Sequence, residues 1–439
     1  MNILENALIF IEKTVCGAFL PALLFLSGAV FLFRIAKHVF SPRFLVRNIK
    51  GGKKGSLASL WLALGGTLGV GNICGVCAAI YVGGAGCVFW IWVCAFLSAA
   101  TKYAETVLAV HYRELDENGN ACGGAPSYMK KGLGLKILPT AFCVLCIFTA
   151  FTMGNLTQIS SASELIFNSI GIPKYVLALF FGAAVLILTL GKGRFITAFT
   201  SKSVPLLCCF YTAVCAVNIF VFRSNIAPVT RQIISEALTL RAGAGGFVAF
   251  ITSPALRLGI TRGVMSNEAG CGTAPIAYAA DKDAEPLRSG ILGTVEVLVD
   301  TLLLCTLTAY AVLLPGIPLT ESSANTLIAV FSAVLGRAVA NLVALSVGVF
   351  ALASVSAWAF YSMSCAKYLH LGRRFNLIFA FFYSFTSVIA CFISEGTVWT
   401  LADISVSAMA VINVLCVTLM FGTVKKLTEN GFHEAHLYK

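Results

Sequence analysis

Long apolar runs separated by short polar turns repeat along the whole chain. A helix needs about 20 apolar residues to cross a bilayer. By that measure the runs predict eleven transmembrane helices, at 16–38, 57–81, 87–112, 138–168, 174–191, 199–222, 246–265, 288–314, 337–369, 375–393 and 398–422. Residues 323–335 read as a short external helix. The second run departs from the pattern. Its stretch LWLALGGTLGVGNICGVCAAIYV, residues 60–82, carries Gly65, Gly66, Gly69 and Gly71 at its middle, with Thr67 and Asn72 among them. Each glycine costs roughly 1 kcal/mol in a helix relative to alanine. The run is therefore expected to break at mid-membrane and leave backbone groups free, which lipid tolerates only where they line a cavity. The run at 246–265 is interrupted by Ser253-Pro254 and Gly259 and is the second expected break, because proline removes a helical hydrogen bond.

Charge orients the runs. Basic residues fill alternate turns: Arg43, Arg47 and Lys50 in the first, then Arg113, Lys130 and Lys131, then Lys192 and Arg194, then Lys282 and Arg288, then Arg373 and Arg374, and finally Lys425 and Lys426. The positive-inside bias makes these turns cytoplasmic, with the N-terminus outside and the C-terminus inside. The segment 223–245, with Arg223, Arg231 and Arg241, and the single Arg337 are the exceptions on the outer side. Composition agrees with a polytopic, all-α membrane protein: the chain is 58% hydrophobic and 11% charged, with a mean hydropathy of +0.89. The net charge of +12 is accounted for by these turns and does not indicate nucleic acid. Sixteen cysteines lie mostly within apolar runs, where they read as packing residues, without disulfides or zinc. No P-loop, metal-type histidine spacing or catalytic constellation suggests an enzyme.

Setting the first run aside leaves ten, and the two broken runs are the first and the sixth of these. Interrupted helices at corresponding positions of two halves point to a transporter with inverted repeats. The chain then divides into an extra N-terminal helix with its basic loop (1–56), a first five-helix repeat (57–222), an external connection (223–245), a second repeat (246–422) and a tail (423–439). Half-helix N-termini suit a carboxylate, and half-helix C-termini with unwound carbonyls suit a cation. An amino acid carried with a cation fits both ends.

Four stretches resemble the alanine or glycine:cation symporters, the sodium:alanine symporter family: GTLGVGNICGV from Gly66, GGAGCVFWIWVCAFLSAATKYAE from Gly83, ENGNACGGAPSYMKKGLG from Glu117, and SNEAGCGTAPIAYAADK from Ser266. Cys87, Ile91, Ser98 and Cys271 stand where that pattern favours other small or apolar residues. The resemblance implies a LeuT-type fold, a 5+5 inverted repeat plus one extra N-terminal helix, and Na⁺-coupled uptake of alanine or glycine. It implies that the amides of Gly69 and Gly71 hold the substrate carboxylate and that the carbonyls of Gly65 and Leu68 ligate Na⁺, with Ser354 as a further ligand. Thr67 and Asn72 would line a second cation site or the amino-acid site. Gln158 would be a substrate ligand, and Phe250, Ile251, Ser253 and Trp358 would wall the pocket. Lipid is the expected surround, with no obligate protein partner.

Other charged residues inside the runs leave alternatives open. Glu296 and Asp300 lie four apart on one helical face and suit a proton path, a cation path or a network with Lys102, Arg257 or Arg262. Lys102 and Glu105 are three apart and can pair with each other. Arg262, Asn267 and Glu268 read as the cytoplasmic end of their run, in a structural or gating ion pair, and Asp403 is a lone acid near the outer end of the last run. The rival on the same fold is a proton-coupled amino-acid transporter. A channel would show non-saturating flux, and a transport-derived sensor would need an output domain.

Overall fold

The computed structural model describes residues 19–39, 54–115, 121–238 and 253–437. Apart from a two-stranded hairpin pairing Glu114–Leu115 with Ala121–Cys122, the regular structure is helical. In chain order the helices are α1 Leu20–Val39, α2 Lys54–Thr67, α3 Cys74–Gly83, α4 Gly86–His111, α5 Ala125–Lys131, α6 Ile137–Ile170, α7 Lys174–Leu190, α8 Lys192–Val221, α9 Ile226–Ala237, α10 Pro254–Asn267, α11 Ala274–Ala279, α12 Pro286–Leu313, α13 Ser323–Leu335, α14 Arg337–Tyr368, α15 Arg373–Ala390, α16 Glu395–Leu419 and α17 Phe421–Leu437. Among the described residues six helices are long and apolar enough to cross a membrane, and α2 with α3 form a seventh, bent span. Large apolar side chains such as Phe33 and Leu179, 86% and 73% exposed, face outwards, as lipid-facing side chains do.

The span α2–α3 bends by 60° at its break. The last helical bond of α2 runs from the Leu68 amide to the Leu64 carbonyl at 2.7 Å. Gly69 is then fully extended, and Val70–Asn72 make one 3₁₀ turn before α3 resumes. Gly69 has to be glycine for space: a Cβ there would lie 2.3 Å from Gln158 Oε1 and 2.6 Å from Ser354 Oγ.

At Gly259 the expected interruption is absent. α10 runs unbroken through Gly259. That glycine lets α10 press onto α4, since a Cβ would meet the Trp90 Cβ at 2.5 Å and the Cys87 carbonyl at 2.6 Å. Pro254 is the first residue of α10 and the Ser253 hydroxyl accepts from the Leu256 amide at 3.3 Å, and the residues immediately before Ser253 lie outside the described ones. Such a serine cap followed by proline is a common helix entry. Phe247, Phe250 and Ile251 lie outside the described residues. The interruption falls at Glu268–Thr273, between α10 and α11, where Glu268, Gly270 and Gly272 all take positive φ. Arg262 is correspondingly displaced from the expected cytoplasmic end, since it lies one helical turn and more before that interruption and pairs with Asp403.

Packing sorts the helices into two groups. α4 packs against α10 and α12, while α14 packs against α6 and α7 against α15. α2 sits against both α8 and α14. The 3₁₀ turn of the break touches α6, α10, α12 and α14. The freed backbone is thus enclosed by protein on every side, the condition under which a membrane tolerates it.

Candidate functional site

Two of the surrounding helices widen into π-helical turns where they face the break, α6 at Thr152–Leu156 and α12 at Leu298–Cys305. A π turn inserts one residue and re-aims the side chains near it. The first lies just before Gln158, whose Oε1 accepts from the Val70 amide at 3.0 Å while its Nε2 faces the Met153 carbonyl at 3.4 Å. The second carries Asp300.

On α14, Ser354 donates to the Gly65 carbonyl at 3.0 Å and lies 3.3 Å from that of Leu68. Three hard oxygen atoms, from chain positions up to 289 residues apart, therefore converge on one side of the break. This is the donor set a hard cation selects. The other side carries the extended Gly69 and the Gln158 amide group. A narrow cavity lined by Leu68, Gly69, Asn72, Ile73, Tyr211, Leu304 and Phe350 adjoins both.

Asn72 joins a different cluster. Its Nδ2 donates to Asp300 Oδ1 at 2.7 Å and to Ser266 Oγ at 3.0 Å. Asp300 Oδ2 accepts from Ser266 at 2.6 Å and from Thr301 at 2.9 Å, and Asn72 Oδ1 is buried with no hydrogen-bond partner. Thr67 is buried but turns back on its own helix, 3.5 Å and 3.4 Å from the Ala63 and Leu64 carbonyls. Gly71 leaves room, with the Met265 carbonyl 3.8 Å from a Cβ built there. Ser253 is only partly buried and serves as a helix cap. Trp358 is fully buried, donates its Nε1 to Glu268 Oε1 at 2.9 Å and packs on Gly154. The structure thus brings Gly65, Leu68, Gly69, Gln158 and Ser354 together. It gives Asn72 to Asp300 and Trp358 to Glu268.

Tyr211, Leu304, Phe350 and Ser266 were not singled out from the sequence. Tyr211 is the one with a legible signal, a phenol in an apolar run, and its hydroxyl meets that of Thr308 at 2.9 Å. On the far side of α3, Arg262 pairs with Asp403 at 3.2 Å and stacks over Trp399 at 4.4 Å from the ring centroid. Trp399 in turn covers Gly75, whose built Cβ would touch the indole at 3.4 Å. Both charges are about a tenth exposed. Removing one partner of a buried pair costs about 3–5 kcal/mol, whereas replacing both by apolar groups is often neutral. Asp403→Asn is therefore expected to lower the melting temperature of the purified protein more than the double change Arg262→Met with Asp403→Leu.

A bundle of apolar helices closed around a broken span, with backbone carbonyls and a serine hydroxyl aimed at one point inside it, defines a membrane transporter. The chain belongs to the sodium:alanine symporter family, whose sequence profile matches residues 1–436. It is similar to the sodium/alanine symporter AgcS of Methanococcus maripaludis, at 34% identity over 86% of this chain and 83% of that protein. It is also similar to an uncharacterized transporter of Haemophilus influenzae, at 32% identity over 94% of this chain and 92% of that one. Its fold resembles the substrate-bound, outward-open state of a Na⁺-coupled sialic acid symporter, with a TM-score of 0.54 at 13% identity, covering 95% of this chain and 86% of the other. The protein is a multi-pass, Na⁺-coupled amino-acid transporter, not an enzyme, and Na⁺ is its co-transported ion.

Proposed function

We propose that this transporter imports alanine or glycine with Na⁺ by alternating access across a prokaryotic cytoplasmic membrane. In this reading eleven spans form a LeuT-type 5+5 inverted repeat plus one extra N-terminal helix, with the N-terminus outside. The repeats are 57–222 and 246–422, flanked by the leading 1–56 and the tail 423–439 and joined by 223–245. The observation that carries the reading is the convergence of the Gly65 and Leu68 carbonyls with Ser354 Oγ beside an extended Gly69. Na⁺ is held by those three oxygens. The amino-acid carboxylate is held by the amides of Gly69 and Gly71 and by Gln158, turned over so that its Nε2 donates. The narrow cavity bounded by Ile73, Leu304 and Phe350 suits a side chain of at most one methyl group. Asn72 with Asp300 and Ser266 offers hard oxygens to a second cation, whereas Thr67 is a helix-packing residue beside the site. Phe250 and Ile251 are kept as candidate pocket walls on the segment before Ser253, and Trp358 steadies Glu268 from below.

Uptake of isotope-labelled alanine into vesicles, driven by an imposed Na⁺ gradient at equal pH on both sides, tests this reading. Uptake is expected to saturate with alanine, to require the gradient and to be inhibited by unlabelled glycine. Uptake that ignores Na⁺ but follows a pH gradient would replace it with proton coupling on the same fold.

A further inference from the structure

A second buried polar cluster lies away from the break. It contains Lys102 and Glu105 from α4, Glu268 at the interruption, and Glu296 from α12, all at most 1% exposed. Lys102 Nζ is 3.4 Å from Glu296 Oε1 and 3.8 Å from Glu105 Oε1. The remaining carboxylate oxygens have donors. Glu105 Oε2 accepts from the Gly272 amide at 3.1 Å and from Asn413 Nδ2 at 2.8 Å. Glu296 Oε2 accepts from the Tyr278 hydroxyl at 2.9 Å. Glu268 accepts from Trp358 at 2.9 Å on one oxygen and from Thr273 at 2.6 Å on the other. Three atoms of the cluster lack a hydrogen-bond partner: Lys102 Nζ, Glu105 Oε1 and Glu296 Oε1, the two oxygens being those nearest the ammonium.

The charges do not balance. With every group ionised, one ammonium faces three carboxylates; Glu268 has a donor on each oxygen, which leaves Glu105 and Glu296 sharing the one ammonium with one negative charge in excess. Burying an unpaired carboxylate costs several kcal/mol, and such a group neutralises instead. The other titratable groups facing the cluster add no positive charge: Cys271 lies at the interruption, Tyr278 comes from α11, Tyr361 comes from α14, and Tyr128 of α5 reaches Glu105 through Asn413. Asp300 lies one turn further along α12 and adds no positive charge either.

We propose that Glu105 and Glu296 form a proton-binding site, distinct from the Na⁺ and amino-acid site, with the proton held on one of the two free Oε1 atoms that flank Lys102. One carboxylate takes a proton from water when the site closes, becoming a carboxylic acid, and returns it to water when the site opens. The opening step follows from the donors. Gly272, Thr273 and Glu268 all belong to the interruption between α10 and α11. Movement of that segment strips a donor from Glu105, admits water and lets the carboxyl ionise. Coupling to the transport cycle rests on the alternating-access reading above, but the existence of the proton does not.

Infrared spectroscopy of the full-length purified protein at neutral pH tests the proposal without any ligand. The wild type is expected to show a carboxylic-acid C=O stretching band that resists slow H/D exchange. The band is expected to disappear in Glu296→Gln or in Glu105→Gln. Two variants are needed in case one does not fold. Absence of the band in the wild type, or its persistence unchanged in both variants, would overturn the proposal. A pH dye in weakly buffered solution adds the coupling. Alanine with Na⁺ is expected to make the wild type exchange protons with the medium, and not the variants. Alanine binding measured on the same samples separates the two readings: binding without proton exchange counts against coupling, whereas no binding by the wild type counts against the proposed substrate.

Discussion

Gly69→Leu is expected to abolish Na⁺-dependent alanine binding while the protein still inserts, folds and elutes as a monodisperse species. The Cβ alone would stand 2.3 Å from Gln158 Oε1 and 2.6 Å from Ser354 Oγ, distances at which something must move. The isobutyl group would then occupy the cavity that Gly69, Ile73 and Phe350 share. Neither Gln158 nor Ser354 can yield cheaply, because each is hydrogen-bonded to the broken backbone. A loss of more than 100-fold in affinity corresponds to about 2.7 kcal/mol, a modest demand for a filled site. Insertion is spared because the residue lies in an already non-helical stretch and leucine favours lipid. Scintillation-proximity binding of labelled alanine checks the expectation. Wild-type affinity in this variant would remove the carboxylate from the Gly69 amide and send it elsewhere in the bundle.

Ser354→Ala is expected to raise the Na⁺ concentration for half-maximal uptake by about tenfold, the equivalent of about 1.4 kcal/mol. Hydrogen bonds and ligand contacts to a charged group are worth about 1.5–3 kcal/mol. One of three oxygen ligands is therefore a sufficient source for that loss. Alanine affinity at saturating Na⁺ is expected to change much less, because Ser354 faces the Gly65 and Leu68 carbonyls and not the Gln158 amide group. Ser354→Thr, which keeps the hydroxyl, should recover most of the Na⁺ dependence. An Ser354→Ala variant with the wild-type Na⁺ curve would move the ion to another oxygen cluster, of which Asn72 with Asp300 is the obvious alternative.

The two variants probe different sides of one break, and that break was legible before any fold was known. Hydrophobic length and glycine content are local properties, so the span at 60–82 identified itself as apolar and as a poor helix together. The pairing of Ser354 with Gly65 and Leu68 was legible only through family resemblance, since nothing local in ALASVSAW selects one serine over its neighbours. Gly259 shows how a local signal misleads. Pro254 and Gly259 are helix breakers by composition, yet one opens α10 and the other seats it against α4. Glu268 is an ordinary helix former that takes φ +51 at the true end of α10. Its side chain is held there by Trp358 and Thr273.

The sequence by itself determined the membrane environment, the helical class, the location of the first break and the family. Each follows from hydropathy, glycine spacing or motif order, which are carried by neighbouring residues. Only the tertiary structure decided which polar groups meet. Arg262 finds Asp403 across 141 positions, Asn72 finds Asp300 across 228, and Glu105 finds Asn413 across 308. The π-helical turns that aim Gln158 and Asp300 inwards are likewise settled by packing. In a dehydrated interior a buried polar group must be satisfied by whatever the fold brings within reach, and that partner has no signature along the chain.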